Sequence, residues 1–242
     1  MSYAVVLTAG GLSTRLGMGI KKEFFILNSG KSVLSACAEN FLRYFLLNPH
    51  YTLSNLVITL PLNALEEGRR SFFTGNTENL CTEIGLVPSF IEGGSTRQES
   101  VFNALSYINA LNTACTSVLI HDAARPYASV QLIDRVVCGT EKHGSCVPVV
   151  QSTDTQKRID PATGFVIDHL DRKTIVCVQT PQGFSFPDIL TAHQSAASGF
   201  KSYTDDSEIW HDFFSEKEYG KVLTCEGDNQ NKKITFSSDL IT

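Results

Sequence analysis

Short apolar runs bounded by loop residues recur along the chain: Tyr3–Leu7, Leu56–Leu60, Pro88–Ile91, Ser117–Ile120, Cys146–Val150 and Lys221–Thr224. Their lengths predict strands, and their near-continuous apolar character fits a sheet covered on both faces. Between them, apolar residues return at helical spacing. Val33, Leu34, Cys37, Phe41 and Phe45 form one stripe; Val101, Leu105 and Ile108 form a second; Ile133, Val136 and Val137 form a third. Strands alternating with helices predict βαβ units and a mainly parallel sheet.

The rhythm breaks at residues 151–180. Short alternations appear there: Thr155, Lys157, Ile159, then Phe165, Ile167, His169, then Ile175, Cys177, Val178. Asp160-Pro161-Ala162-Thr163-Gly164 lies between the first two groups and has turn chemistry. This segment predicts a β-hairpin arm inserted into the α/β unit. A lone hairpin is marginal in water, so the arm is expected to pair with a second subunit. No repeat or linker divides the chain, and residues 1–242 are expected to form one domain.

Length and composition narrow the classes. A chain of 242 residues can bury a substantial core. Its net charge of −5 argues against a general nucleic-acid surface, though not against a local basic pocket. No apolar run reaches the roughly 18 residues a membrane span needs. The first predicted strand begins near residue 3, which leaves no room for an export signal, so a cytoplasmic protein is expected. The seven cysteines contain no C-x-x-C and read as reduced thiols, mostly core filler. The six histidines show no metal-binding spacing, and no zinc site is expected.

The segment from Ala4 to Lys22 carries the first chemical signal. A predicted strand runs into Gly10-Gly11, followed by Ser13, Thr14, Arg15 and, seven positions later, Lys22. Glycines after a strand let backbone N–H groups approach an anion, and Arg and Lys add positive charge where a polyphosphate would sit. The expected ligand is a nucleoside triphosphate. The spacing is neither a Walker A loop nor a dinucleotide fingerprint: no complete G-x-x-x-x-G-K-[ST] occurs, and Lys22 stands where a third glycine belongs. An ordinary strand-to-helix loop with solvated Arg and Lys fits this segment equally well, so its meaning depends on the rest of the chain.

A second signal is Val118-Leu119-Ile120-His121-Asp122-Ala123-Ala124-Arg125-Pro126. Functional groups in open α/β sheets cluster at the carboxyl ends of strands. An Asp there suits Mg²⁺, which prefers oxygen ligands, and Arg125 suits a second phosphate. Taken alone, helix capping by Asp122 is the simpler reading. The third signal, Gly93-Gly94-Ser95-Thr96-Arg97-Gln98-Glu99-Ser100-Val101, again follows a strand and opens a helix. Its glycines permit close approach to a planar base, and Ser100 with free N–H groups at the helix start would read the base edge. The pair Lys232-Lys233 matters only if the fold returns it to the first loop.

The ordered set resembles one family. Gly10-Gly11-Leu12-Ser13-Thr14-Arg15 with Lys21-Lys22, the Gly93–Val101 segment, His121–Pro126, Asp154-Thr155-Gln156-Lys157, Leu170-Asp171-Arg172, Gln179-Thr180-Pro181-Gln182-Gly183-Phe184 and Lys233-Ile234-Thr235 resemble the IspD family of 2-C-methyl-D-erythritol 4-phosphate cytidylyltransferases. The likeness runs from about residue 3 to 240. It implies an α/β fold of nucleotidyltransferase type, a Rossmann-like mainly parallel sheet flanked by helices with an inserted β-hairpin arm. It implies transfer of a cytidylyl group from CTP to methylerythritol phosphate, with Mg²⁺, in a homodimer joined through the arm. Arg15, Lys22 and Lys233 match catalytic positions around the phosphates. Ala9, Gly10, Gly11, Gly93, Gly94 and Ser100 match the CTP-binding set. Asp122, Arg125, Thr155, Arg172 and Thr180 match substrate-contacting positions, and Asp122 also matches the residue near the metal. Some arm positions reach across the dimer in this pattern.

The chain departs from the pattern in places. Lys21 stands where many members have Pro, Val150-Gln151-Ser152-Thr153 lengthens the approach to Asp154-Thr155, and the usual Arg-Pro after Thr235 is absent. Two other readings stand beside the first: a ribitol-5-phosphate cytidylyltransferase sharing these loops, and a nucleotide-binding regulator without turnover. Arg15, Lys22, Asp122 and Lys233 together argue against the regulator. The His121–Pro126 and Asp154–Arg158 segments look more like the methylerythritol branch.

Overall fold

The computed structural model describes residues 1–10, 21–217, 220–236 and 239. The central strand is β1, Ser2–Thr8. Its residues alternate between two cores: Tyr3, Val5 and Leu7 enter one, Ala4 and Val6 the other. Both faces are covered, which is why the run reads as continuously apolar. β1 pairs in parallel with β2, Thr52–Leu60, on one side and with β4, Ser117–Asp122, on the other. The strand β3, Ser89–Glu92, extends the sheet beyond β2.

Beyond β4 the order is β9, Gln182–Ser185, then β5, Ser145–Gln151, then β10, Leu223–Glu226. β9 runs antiparallel to both of its neighbours. Its four residues are mostly small or polar yet nearly all buried, so no apolar run announced it. β10 begins two residues after the expected run, because Leu223 is the residue that pairs with Cys146.

The helical stripes fold as the pattern predicts. In α1, Val33–Leu47, α4, Arg97–Ala110, and α5, Val130–His143, every stripe residue named above is buried. Full burial of such a side chain contributes roughly 1.5–3 kcal/mol. Side-chain oxygens of Ser32, Thr96 and Ser129 cap the three helices by accepting N–H groups of the first turn. α1 and α5 pack into the first core, along with Phe72 of α2, Leu65–Phe72, and Leu80 of α3, Thr77–Ile84. α4 packs into the second core with α6, Phe186–Ala197, and α7, Asp206–Phe214. α2 left no periodicity to read because only Gly68, Ser71 and Phe72 of its eight residues are buried. Among the described residues no helix is long and apolar enough to cross a membrane.

The arm is present in modified form. β6, Lys157–Ile159, and β7, Val166–His169, form a separate two-stranded antiparallel ribbon, and every residue in it is exposed. The turn closes where Asp160 Oδ1 accepts the N–H of Ala162 at 2.8 Å and Gly164 takes φ +74°. The third expected segment does not join the hairpin. Val176–Val178 forms β8 and returns to the main sheet, antiparallel to β5.

Candidate active site

Described residues beyond the ends of β1, β3 and β4 converge at the carboxyl end of the sheet. They enclose a cleft of about 670 Å³. Gly10 and Lys22 line it from the first loop region, Gly93, Gly94, Arg97 and Ser100 from the β3–α4 junction, Asp122 from β4, and Lys233 from the C-terminal segment. A larger hollow of about 980 Å³, between Lys142, His143, Asp188, Trp210 and Lys221, lies at the opposite end of the sheet, where β5 and β10 begin. Of the described strands, only the antiparallel β9 ends there, at Ser185. Position in the fold and charge, rather than volume, mark the first cleft as the candidate.

Ser100 organises the glycine wall. It is 3 % exposed, and its Oγ donates to the Thr96 carbonyl at 2.8 Å and accepts the Gly94 N–H at 3.0 Å. A Cβ on Gly93 would lie 2.8 Å from that Oγ, and one on Gly10 would lie 3.2 Å from it, so close approach requires glycine at the first position. Just ahead of the helix start the N–H groups of Gly93, Gly94 and Ser95 are bonded to Leu60 O, Ser100 Oγ and Glu99 Oε2, and in its first turn the Glu99 N–H is bonded to Thr96 Oγ1. With its proton committed to Thr96, the Ser100 hydroxyl can face a ligand only as an acceptor. Ala9 is fully buried, and its N–H bonds to Thr59 O.

Asp122 is the electrostatic centre. Its Oδ1 accepts from Arg97 Nε at 3.0 Å and its Oδ2 from Lys233 Nζ at 2.6 Å. Burial opposes a charge on this carboxyl, but Arg97 and Lys233 outweigh it and hold the group well below the usual carboxylate range. Arg97 in turn donates from Nη2 to Asp206 Oδ2 at 2.8 Å, and the fully buried Asp206 accepts from His193 Nε2 at 3.2 Å. Arg97, Asp206 and His193 are participants that sequence reasoning missed. Arg97 lay in a quoted motif, but nothing in the local pattern of Asp206 or His193 linked them to it.

A buried relay fixes Asp122 from behind. His121 Nε2 lies 3.0 Å from Arg125 O, and a carbonyl only accepts, so Nε2 carries the proton. Nδ1 therefore accepts from the Thr180 hydroxyl at 3.0 Å, whose oxygen accepts the Asp122 N–H at 3.1 Å. Burial pushes His121 down to about 4, which keeps it neutral at pH 7. Thr180 is thus buried and internally bonded; it supports Asp122 from behind rather than lining the cleft. Arg125 also has a different place from the one expected. Its Nη1 donates to Asn231 O at 2.7 Å, and the neighbouring Ala124 O accepts Ile234 N–H at 2.9 Å. These bonds clamp the C-terminal segment and bring Lys233 onto Asp122, answering the question the Lys pair had posed. Thr155 and Arg172 are exposed on and beside the arm and do not line this chain's cleft. Arg15 and Gly11 lie outside the described residues.

A family model described as IspD, 2-C-methyl-D-erythritol 4-phosphate cytidylyltransferase, matches residues 3–242. The chain belongs to the IspD family. The 2-C-methyl-D-erythritol 4-phosphate cytidylyltransferase of Bacillus mycoides (strain KBAB4) is 31% identical over 239 residues, covering 99% of this chain and 95% of that protein. The enzyme of the same name from Clostridium acetobutylicum is 32% identical over 247 residues, covering 99% and 94%. The crystal structure of the Thermus thermophilus enzyme of that name superposes with a TM-score of 0.69 at 28% identity, covering all of this chain and 96% of that one. In this IspD-family chain the mainly parallel sheet and its flanking helices are shared with that structure, and the arm is a small addition to them.

Proposed function

We propose that this chain catalyses cytidylyl transfer from CTP to 2-C-methyl-D-erythritol 4-phosphate, giving CDP-methylerythritol and pyrophosphate. The observation that carries the reading is Asp122, held between Arg97 and Lys233 at the mouth of a glycine-walled cleft in an IspD-family chain. An oxygen of the substrate phosphate attacks the α-phosphorus of CTP. The bond from that phosphorus to the bridging oxygen breaks, and the pyrophosphate leaves with the electron pair. The attacking group is already an anion at pH 7, so no protein base or nucleophile is needed. The protein supplies position and positive charge. Lys22 and Arg15 are assigned to the CTP phosphates and Lys233 to the α-phosphate, where charge grows in the transition state. Gly10, Gly93, Gly94 and Ser100 frame the base. An acceptor at Ser100 matches the 4-amino donor of cytosine and opposes the 4-oxo group of uracil.

Asp122 also fits a divalent cation. Mg²⁺ commonly takes one or two protein carboxylates together with substrate phosphates. Among the described residues no group of three or more His, Cys, Asp or Glu could cage an ion. A single carboxylate therefore suits an ion that arrives with CTP. Bound there, it would neutralise phosphate charge; Asp122 would hold it.

The arm supports a homodimer. Ile159, Phe165, Val166, Ile167 and Val178 are 40–75% exposed, an apolar surface that a second copy would cover. Thr155 and Arg172 would then serve the neighbour's cleft, with Arg172 gripping the methylerythritol phosphate through a bidentate guanidinium.

Pyrophosphate release with CTP, assayed side by side with methylerythritol phosphate and ribitol 5-phosphate, tests the reading. Turnover is expected with the first acceptor, and with CTP well above UTP, ATP or GTP. Equal turnover with ribitol 5-phosphate, or none with either acceptor, overturns it.

A further inference from the structure

The fork of Arg97 is divided between two carboxylates. Nε serves Asp122 at 3.0 Å and Nη2 serves Asp206 at 2.8 Å. Asp206 is fully buried, opens α7 and is held from two directions. His193, 1 % exposed, lies against its Oδ1, and the helix start that carries it is pinned by Gln182 of β9. The Gln182 amide donates to Asp205 Oδ2 at 2.9 Å and accepts the Ser207 N–H at 3.1 Å. Burying an ion pair seldom adds stability over apolar packing of the same volume, so a fully buried carboxylate beside the site invites a positional explanation.

Charge balance supplies one. Arg97 and Lys233 bring two positive charges; Asp122 and Asp206 bring two negative ones. An arginine facing a single carboxylate tends to take both oxygens with parallel bonds. Here Asp206 draws off one arm of the fork, so Arg97 occupies only Oδ1 of Asp122. Oδ2 remains for Lys233 Nζ at 2.6 Å.

We infer that Asp206, oriented by His193, is a positioning residue that keeps Arg97 end-on to Asp122 and so reserves the second carboxylate oxygen for Lys233. Without Asp206, Arg97 closes on Asp122 and displaces Lys233. The kinetic part of this inference rests on the cytidylyl-transfer reading; the lysine geometry does not.

The test is competitive acetylation of the full chain without nucleotide, read by mass spectrometry as labelling of Lys233 relative to exposed Lys142. Asp206→Asn releases Lys233 from a charge-assisted bond, so the ratio is expected to rise about 10-fold. Arg97→Gln has the opposite sign: it leaves Asp122 to Lys233 alone, and the ratio falls below wild type. The double variant behaves like Arg97→Gln, because Asp206 acts only through Arg97. Simple loosening of the cleft raises labelling in every variant. In pyrophosphate release, Asp206→Asn is expected to lose about 10- to 100-fold in kcat, while KM for CTP stays within about threefold because the glycine wall is untouched. An unchanged labelling ratio in folded Asp206→Asn overturns the inference. If that variant does not fold, a rise in Arg97→Gln overturns it. Wild-type protein without turnover overturns the functional reading instead, and the labelling signs still decide this one.

Discussion

The cleft and the arm are built on opposite terms. In the cleft, polar groups are buried and tied within the chain: Asp122 touches two cations, His121 has a partner on each ring nitrogen, and Ser100 both donates and accepts. On the arm, Phe165 is 75% exposed and Ile167 62%, and no strand of the ribbon has a buried residue. The cleft is preorganised by its own fold. The arm spends few contacts on its own chain and presents apolar surface outward. The difference teaches where the chain tolerates change: substitution in the cleft disturbs buried, bonded groups, while substitution on the arm removes little that its own chain uses.

The sharpest break is expected at Lys22. Lys22→Ala should lower kcat by about 10²–10³ in pyrophosphate release, the usual loss for one preorganised charge contact, while circular dichroism stays native. Near-normal turnover removes Lys22 from the transition state. Arg172→Ala tests whether the two regions meet. If the arm completes a neighbour's cleft, it too is nearly inactive, yet protomers of Arg172→Ala mixed with protomers of Lys22→Ala regain activity through one intact site. A mixture no better than its parents, after confirmed subunit exchange, separates arm from chemistry.

Acid should weaken the cleft side next. The folded His121 titrates at about 4, below an unfolded histidine near 6.5. Between those values the unfolded chain binds a proton that the folded chain does not, so stability falls as pH falls, by on the order of 3 kcal/mol in full. Asp122 and Asp206, held low, keep their contribution in that window and lose it only as pH drops through their lowered values. Urea unfolding at pH 7 and pH 4.5 checks this; an equal slope in His121→Gln assigns the loss elsewhere.

A smaller effect is expected at the glycine wall. In Gly93→Ala the new Cβ would lie 2.8 Å from Ser100 Oγ and force it off its hydrogen bonds. KM for CTP should rise about 10-fold, the value of one such bond, with little change in kcat. The smallest effect on protomer stability belongs to the arm. Phe165→Ser with Ile167→Ser should change unfolding free energy by no more than about 0.5 kcal/mol, the norm for exposed sites, while sedimentation shifts from dimer to monomer. Unfolding of the protomer by this pair erases the contrast between the two regions.

The parallel sheet and its three principal helices were legible because burial imposes apolar runs and helical stripes on the sequence; the arm, whose ribbon is exposed, was legible from its short alternations and the Asp160–Gly164 turn. The apolar stripes of α1, α4 and α5 are buried at every named position. The loops of the cleft were legible too, because glycines, Arg, Lys and a strand-terminal Asp occur at short spacing. What could not be read was partnership across distance. Gln182–Ser185 carries no pattern of a central strand, since its burial comes from antiparallel neighbours on both sides. Thr180 and Arg125 carry side chains suited to a substrate, and only the folded chain turns one toward His121 and the other toward Asn231. Asp206 stands 109 positions from Arg97 and Lys233 stands 111 from Asp122. The sequence determined the apolar strands, the three striped helices and which loops would carry charge, because those depend on neighbours along the chain. Only the tertiary structure decided which charges meet, because an ion pair depends on distance in space, and the sheet order that sets this distance is formed by contacts no local window contains.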